Sequence, residues 1–282
     1  MIKTYYMLTK PGIIMGNAIT TAAGFALASN GSFDYLLFLV TLLGLSLVVA
    51  SAGVFNNYID RAMDAKMERT KNRPLVTGKL SSVKALLFAC LLGMIGFTLL
   101  GIYTNTLTVC VTFVGFFTYL TLYAFYKYRS FYGTLVGSIA GAIPPVVGYC
   151  AASNQLDVGA FLIFMILVLW QMPHFFAIAI YRFKDYEAAS IPVLPIVKGM
   201  QVTKIHMIYY IMAFIITASL LTFTGYTGYL YLIVTVILGL IWLQIGVDGF
   251  FNIHNTAWAK KMFVFSLVVI MALCLSIVID RV

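Results

Sequence analysis

Acidic side chains are scarce in this chain: nine Asp and Glu stand against eighteen Lys and Arg in 282 residues. With 10% of residues charged and 62% hydrophobic, it cannot clothe a water-soluble globule. Cysteine is scarce as well. Cys90, Cys110, Cys150 and Cys274 fall inside apolar runs without metal-ligand spacing, which excludes a disulfide framework and a thiolate metal centre. No nucleic-acid motif is present, so the net charge of +9 must serve another purpose. A cleavable leader is not expected, because the first apolar run follows Lys10-Pro11-Gly12 and outlasts the core of a signal peptide.

What the chain has in abundance is long apolar stretches with turn residues between them. They predict an all-α polytopic membrane protein of nine transmembrane spans, near 13–29, 35–59, 84–103, 106–126, 131–152, 157–180, 206–225, 229–247 and 262–279. The basic residues orient these spans. Alternation from an inside N-terminus places every Lys and Arg except Arg281 on the cytoplasmic side, and the connections near Asn30, Thr104, Asn154 and Thr227 hold none. A span more or fewer would scatter basic loops over both faces. The C-terminus is therefore expected outside, and the two largest basic loops can also attract an anionic substrate or lipid headgroups.

Against this background the few acids stand out. Asn56, Asp60 and Asp64 recur every four residues where the second span meets the basic stretch 66–84. On a helix such residues share one face, about 6 Å apart along the axis. An amide and two carboxylates suit a hard cation such as Mg²⁺, and acids at a membrane edge default to function rather than to a merely polar helix end. The following loop, Pro74-Leu75-Val76-Thr77-Gly78, is echoed by Pro195-Ile196-Val197-Lys198-Gly199, each with an Asp ten residues earlier, Asp64 and Asp185. This echo predicts one domain, 1–282, carrying an internal pseudo-repeat of loops 60–84 and 181–205. Its acid-bearing helix ends would face each other across a cavity opening to the cytoplasm. The second unit is poorer in acid, with Ala189 four residues after Asp185.

Acids that gather Mg²⁺ beside Arg69, Lys71, Arg73, Lys184 and Lys198 form a mixed-sign site suited to a polyphosphate. In a membrane, a diphosphate on a lipid tail fits: head at the edge, tail between helices. The stretch Asn56 to Asp64, with Arg69-Thr70-Lys71-Asn72-Arg73-Pro74, resembles the first aspartate-rich motif of the intramembrane aromatic prenyltransferase (UbiA-like) superfamily. The segments Lys10-Pro11-Gly12-Ile13, Tyr132-Gly133-Thr134, Gly141 to Tyr149, Trp170-Gln171-Met172-Pro173-His174-Phe175, Tyr181 to Tyr186 and Ile191 to Pro195 are similar to the branch that farnesylates haem. The resemblance runs from Lys10 to about Lys204 and continues more loosely beyond.

That resemblance implies transfer of a farnesyl group from farnesyl diphosphate to the 2-vinyl group of haem B, with water adding to give haem O for haem–copper oxidases. It implies Mg²⁺, replaceable by Mn²⁺, held with the diphosphate by Asn56, Asp60, Asp64 and Asp185. Arg69, Lys71, Arg73 and Lys184 would face the phosphates, and His174 with Arg182 the haem. In the superfamily the second motif commonly has two acids, so Ala189 leaves Asp185 to act alone, with Glu187 or with water. The bacterial cytoplasmic (inner) membrane, and haem A synthase or oxidase-assembly proteins as partners, are implied too.

His174 lies eleven residues before Asp185, which on a continuous helix is about 16 Å deeper. Its imidazole could ligate haem iron or hydrogen-bond a neighbouring helix. His206 and His254 fall at the cytoplasmic boundary, where a solvated ring is expected. Tyr119, Tyr123 and Tyr126 could face a carbocation or serve as interfacial tyrosines. Two rivals remain. Transfer of a polyprenyl chain to an aromatic acid or quinone precursor shares the metal site but leaves Trp170 to Phe175 unexplained. A cation-coupled transporter would place its acids near the midplane rather than at one edge.

Overall fold

The computed structural model describes residues 2–29, 31, 33–251 and 254–282; Asn30, in the first expected outer connection, lies outside them. Among the described residues nine helices are long and apolar enough to cross a membrane. They are α1 (Pro11–Ala28), α2 (Tyr35–Ile59), α3 (Ser82–Tyr103), α4 (Thr106–Tyr126) and α5 (Gly133–Ser153). The rest are α6 (Val158–Tyr181), α7 (Met200–Phe223), α8 (Tyr229–Asp248) and α9 (Asn255–Asp280). Two differ from the expected spans: α7 begins six residues early and α9 seven, so Lys204, Lys260 and Lys261 are helical. Charge marks the membrane edge, whereas a helix continues past it wherever its backbone bonds can still close.

Polar caps start every even-numbered helix. Asp34 accepts from Leu37 N at 2.9 Å, Asn105 from Thr108 N at 2.9 Å and Asp157 from Ala160 N at 3.1 Å. For α8 the cap comes from elsewhere: Asp280, at the end of α9, accepts from Tyr231 N at 2.7 Å. These caps satisfy orphan N–H groups at helix starts, so three of the nine acids are structural.

Small residues set the closest crossings. A Cβ on Gly24 would lie 2.0 Å from the Pro145 carbonyl oxygen and one on Gly148 2.1 Å from that of Thr21, so α1 and α5 touch backbone to backbone. Likewise α2 and α3 meet at Gly44 and Gly96, and Ser51 Oγ donates to Ala89 O at 2.7 Å. Further contacts join α6 with α7, α7 with α8, α9 with both α6 and α8, and α9 with α1, which closes the ring.

Two helices are irregular. Helix α5 breaks at Ala142 because Pro144 and Pro145 have no N–H to continue the ladder. In α4 the last turns form a π-helix over Tyr119–Tyr123. A cavity of about 580 Å³ lies between the α1–α2, α5–α6 and α7–α8 connections, at the end opposite the Asp60 and Asp64 cluster.

Candidate active site

The four-residue spacing survives folding. Helix α2 ends at Ile59, yet Asp60 N still bonds Asn56 O at 2.9 Å and Asp64 N bonds Asp60 O at 2.8 Å, through the turn Arg61–Asp64. Asn56, Asp60 and Asp64 therefore share a face, and all three are at most 3% exposed. Buried carboxylates require partners, and each has a cation. Arg73 Nη1 meets Asp64 Oδ2 at 2.5 Å, and Lys127 Nζ meets Asp60 Oδ2 at 2.5 Å. Tyr128 donates its phenolic proton to Asp60 Oδ1, and Lys10 donates to Asn56 Oδ1. Asn56 Nδ2 is buried with no partner among the described residues.

The two lysines differ electrostatically. Burial pushes the Lys10 ammonium down to about 7. Burial also acts against a charged Lys127, but Tyr123 and Asp60 outweigh it and hold its pKa well above the ordinary value. Lys127 stays charged, while Lys10 gives up its proton readily. Burial likewise raises the Tyr128 phenol, which remains a donor.

Lys10, Lys127 and Tyr128 escaped the sequence reading as site residues. A lysine flanking an apolar span reads as a topology signal, and only the fold shows which one turns inward. Lys71 does the reverse: it pairs with Glu68 at 2.7 Å, with both side chains largely exposed. Lys184 is exposed too, and the Arg182 guanidinium lies over the Tyr181 ring at 4.4 Å.

The second acid-bearing loop packs against the first. Ala189 and Ile191 form one apolar cluster with Met67, bordered by Tyr128, Tyr186 and Val193. Ala189 is 2% exposed there, so a carboxylate in its place would be buried among apolar groups. Asp185 is half-buried and makes no ion pair among the described residues; the neighbouring Tyr186 feels Arg69, Lys127 and Asp185 electrostatically. Glu187 faces solvent.

No three His, Cys, Asp or Glu side chains among the described residues stand close enough to hold a metal ion by themselves. The donor set nevertheless fits Mg²⁺ in kind: Asn56, Asp60 and Asp64 offer buried oxygens on one face, and Asn56 has an orphaned amide donor beside them. Such a cation keeps part of its shell for phosphate and water, so two or three protein oxygens suffice.

Deeper in the bundle, His174 Nδ1 and Ser266 Oγ of α9 are 2.7 Å apart. The imidazole stacks on Trp170 at 4.8 Å and meets Phe263 at 4.9 Å, and Trp170 Nε1 donates to Ser266 O at 2.8 Å. Tyr119 and Tyr123 stack at 5.3 Å beside Lys127, whose Nζ is 5.5 Å from the Tyr123 centroid. Tyr126 is 39% exposed and His206 lies edge-on to Phe176 at 6.5 Å. His254 is the N-cap of α9.

Residues 17–268 match the UbiA prenyltransferase family. The chain is 54% identical over 282 residues to a protoheme IX farnesyltransferase of Protochlamydia amoebophila (strain UWE25), covering 100% of both. It is 53% identical to one of Serratia proteamaculans (strain 568), over 99% of this chain and 95% of the relative. Among solved structures, a digeranylgeranylglyceryl phosphate synthase superposes with a TM-score of 0.81 at 19% identity, covering 99% of this chain and 97% of that one. A UbiA homologue from Archaeoglobus fulgidus bound to GPP and Mg²⁺ superposes at 0.67 with 13% identity, covering 98% and 99%. A family match over most of the chain, full-length identity above one half and a shared fold lead to one conclusion: the chain belongs to the UbiA prenyltransferase family.

Proposed function

We propose that the protein transfers a farnesyl group from farnesyl diphosphate to the 2-vinyl group of haem B, with water adding, to form haem O in a bacterial cytoplasmic membrane. The buried face of Asn56, Asp60 and Asp64, its two carboxylates each partnered by a cation and its amide by Lys10, carries the diphosphate half of this reading. Similarity to protoheme IX farnesyltransferases over the full chain supports the haem half. Mg²⁺ or Mn²⁺, when bound, neutralises diphosphate charge and so favours cleavage of the carbon–oxygen bond.

The chain's own groups do the remaining work. Asn56, Asp60, Asp64 and Asp185 hold the metal, and the Asn56 amide donates to a phosphate oxygen. Arg73 and Lys127 turn from their carboxylates toward the diphosphate, where charge-assisted bonds strengthen as negative charge develops. Arg69 stands on the cytoplasmic side of the same acid-bearing face; Lys71 and Lys184 meet the headgroup from the rim. The stacked Tyr119 and Tyr123 rings face the allylic cation. The vinyl group attacks that cation, and water captures the cation left on the porphyrin side chain, its surplus proton passing to the released diphosphate or to solvent. Arg182 pairs with a haem propionate. Haem A synthase or an oxidase-assembly protein takes the product. The likeness of loops 60–84 and 181–205 reflects duplication; Gly78 and Gly199 both take positive φ, 71° and 85°.

Purified protein incubated with haem B, farnesyl diphosphate and Mg²⁺ is expected to yield a haem heavier by one farnesyl group plus one hydroxyl, and none in excess chelator. Mass analysis of extracted haems checks this. Prenylation of an aromatic acid with haem B untouched would move the assignment elsewhere in the family.

A further inference from the structure

We infer that Ser266 is a positioning residue that fixes the tautomer of His174, leaving Nε2 as a bare lone pair available to the iron of the porphyrin substrate. The argument follows two short contacts and one proton. Ser266 Oγ lies 2.6 Å from Phe263 O, a separation that two oxygens hold only with a hydrogen between them. A carbonyl has none to give, so the Ser266 hydroxyl donates there. His174 Nδ1 lies 2.7 Å from the same Oγ, whose proton is already engaged. Nδ1 must therefore carry the hydrogen and donate. In a neutral imidazole the proton on one nitrogen leaves a lone pair on the other, and Nε2 has no hydrogen-bond partner among the described residues.

Ser266 also controls the ring's orientation. Its backbone carbonyl accepts from Trp170 Nε1 at 2.8 Å, and Trp170 stacks on the imidazole with an interplanar angle of 24°. One residue of α9, itself fully buried, thus sets both the protonation pattern and the stacking partner of a histidine on α6. A histidine that ligates a metal ordinarily gives its other N–H to an oxygen acceptor in this way. Iron as the target rests on the proposed haem acceptor; the tautomer does not.

The tautomer can be read directly. The chain has only three histidines, so ¹⁵N-histidine labelling in detergent gives a simple spectrum, and His174→Gln identifies the resonances that vanish. Without haem, His174 is expected as the Nδ1–H form, the less common one for histidine in water. In titrations with ferric haem B, Ser266→Ala is expected to weaken binding about tenfold. Ser266→Thr, which keeps the hydroxyl, should stay near the unmodified protein, and both should bind farnesyl diphosphate normally. A proton on Nε2, or unaltered haem affinity in Ser266→Ala, overturns the inference. Should Ser266→Ala lose both ligands through misfolding, the spectrum of the unmodified protein decides. If that protein shows Nδ1–H and binds farnesyl diphosphate but no haem B, the acceptor assignment falls while the tautomer stands.

Discussion

The acids of this chain divide by what meets them. Asp34, Asp157 and Asp280 cap helices, whereas Asp60 and Asp64 are buried against cations that their own helix does not supply. This difference governs what substitutions do. Asp64→Ala frees Arg73, which at 28% side-chain exposure can turn to solvent; the variant should fold and lose turnover. Lys127→Met strips a partner from a carboxylate only 5% exposed and should cost about 3 kcal/mol despite Tyr128. Adding Asp60→Asn to Lys127→Met should recover much of that stability without restoring activity. Thermal unfolding in detergent with parallel product assays separates the cases. Equal stability of Lys127→Met and the unmodified protein would show that Lys127 does not anchor Asp60. The sequence reveals the Asn56, Asp60, Asp64 face because helical spacing is local information. It does not reveal Lys10, Lys127 or Tyr128, because they reach that face from chain segments far away in sequence.

At the scale of elements, the crossings rest on a few glycines. Gly148→Ala drives a methyl toward the Thr21 carbonyl oxygen, which is backbone and cannot step aside, so α1 and α5 must separate. A loss of about 1–3 kcal/mol is expected. Gly16→Ala on the same α1, with nothing within 4 Å, should be neutral or slightly stabilising. Equal melting temperatures for the two variants would contradict this crossing. The span count was legible in the sequence because nine apolar runs alternate with basic and uncharged connections. Helix boundaries were less so: Lys204 sits within α7, where its Nζ donates to Gly249 O at 2.6 Å, an inward role that its charge alone conceals. The π-turn at Tyr119–Tyr123 and the break at Ala142 concern the register of backbone bonds, and of these only the break has a local signal, in Pro144-Pro145.

For the whole molecule, the proposed placement of basic loops inside and bare connections outside is testable. A cysteine replacing Val282 should react with a membrane-impermeant thiol reagent added to intact cells, and one replacing exposed Lys71 only after lysis. The opposite pattern would invert the proposed topology. Composition and periodicity alone determined an all-helical membrane bundle, its span number and the acid-bearing helix end, since burial in lipid obliges each segment to satisfy its own backbone. Tertiary structure decided which cations meet which acids, why Ala189 carries no carboxylate, and how Ser266 orders His174. Each of these joins residues distant in sequence, and such pairs are chosen by the packing of whole helices rather than by local preference.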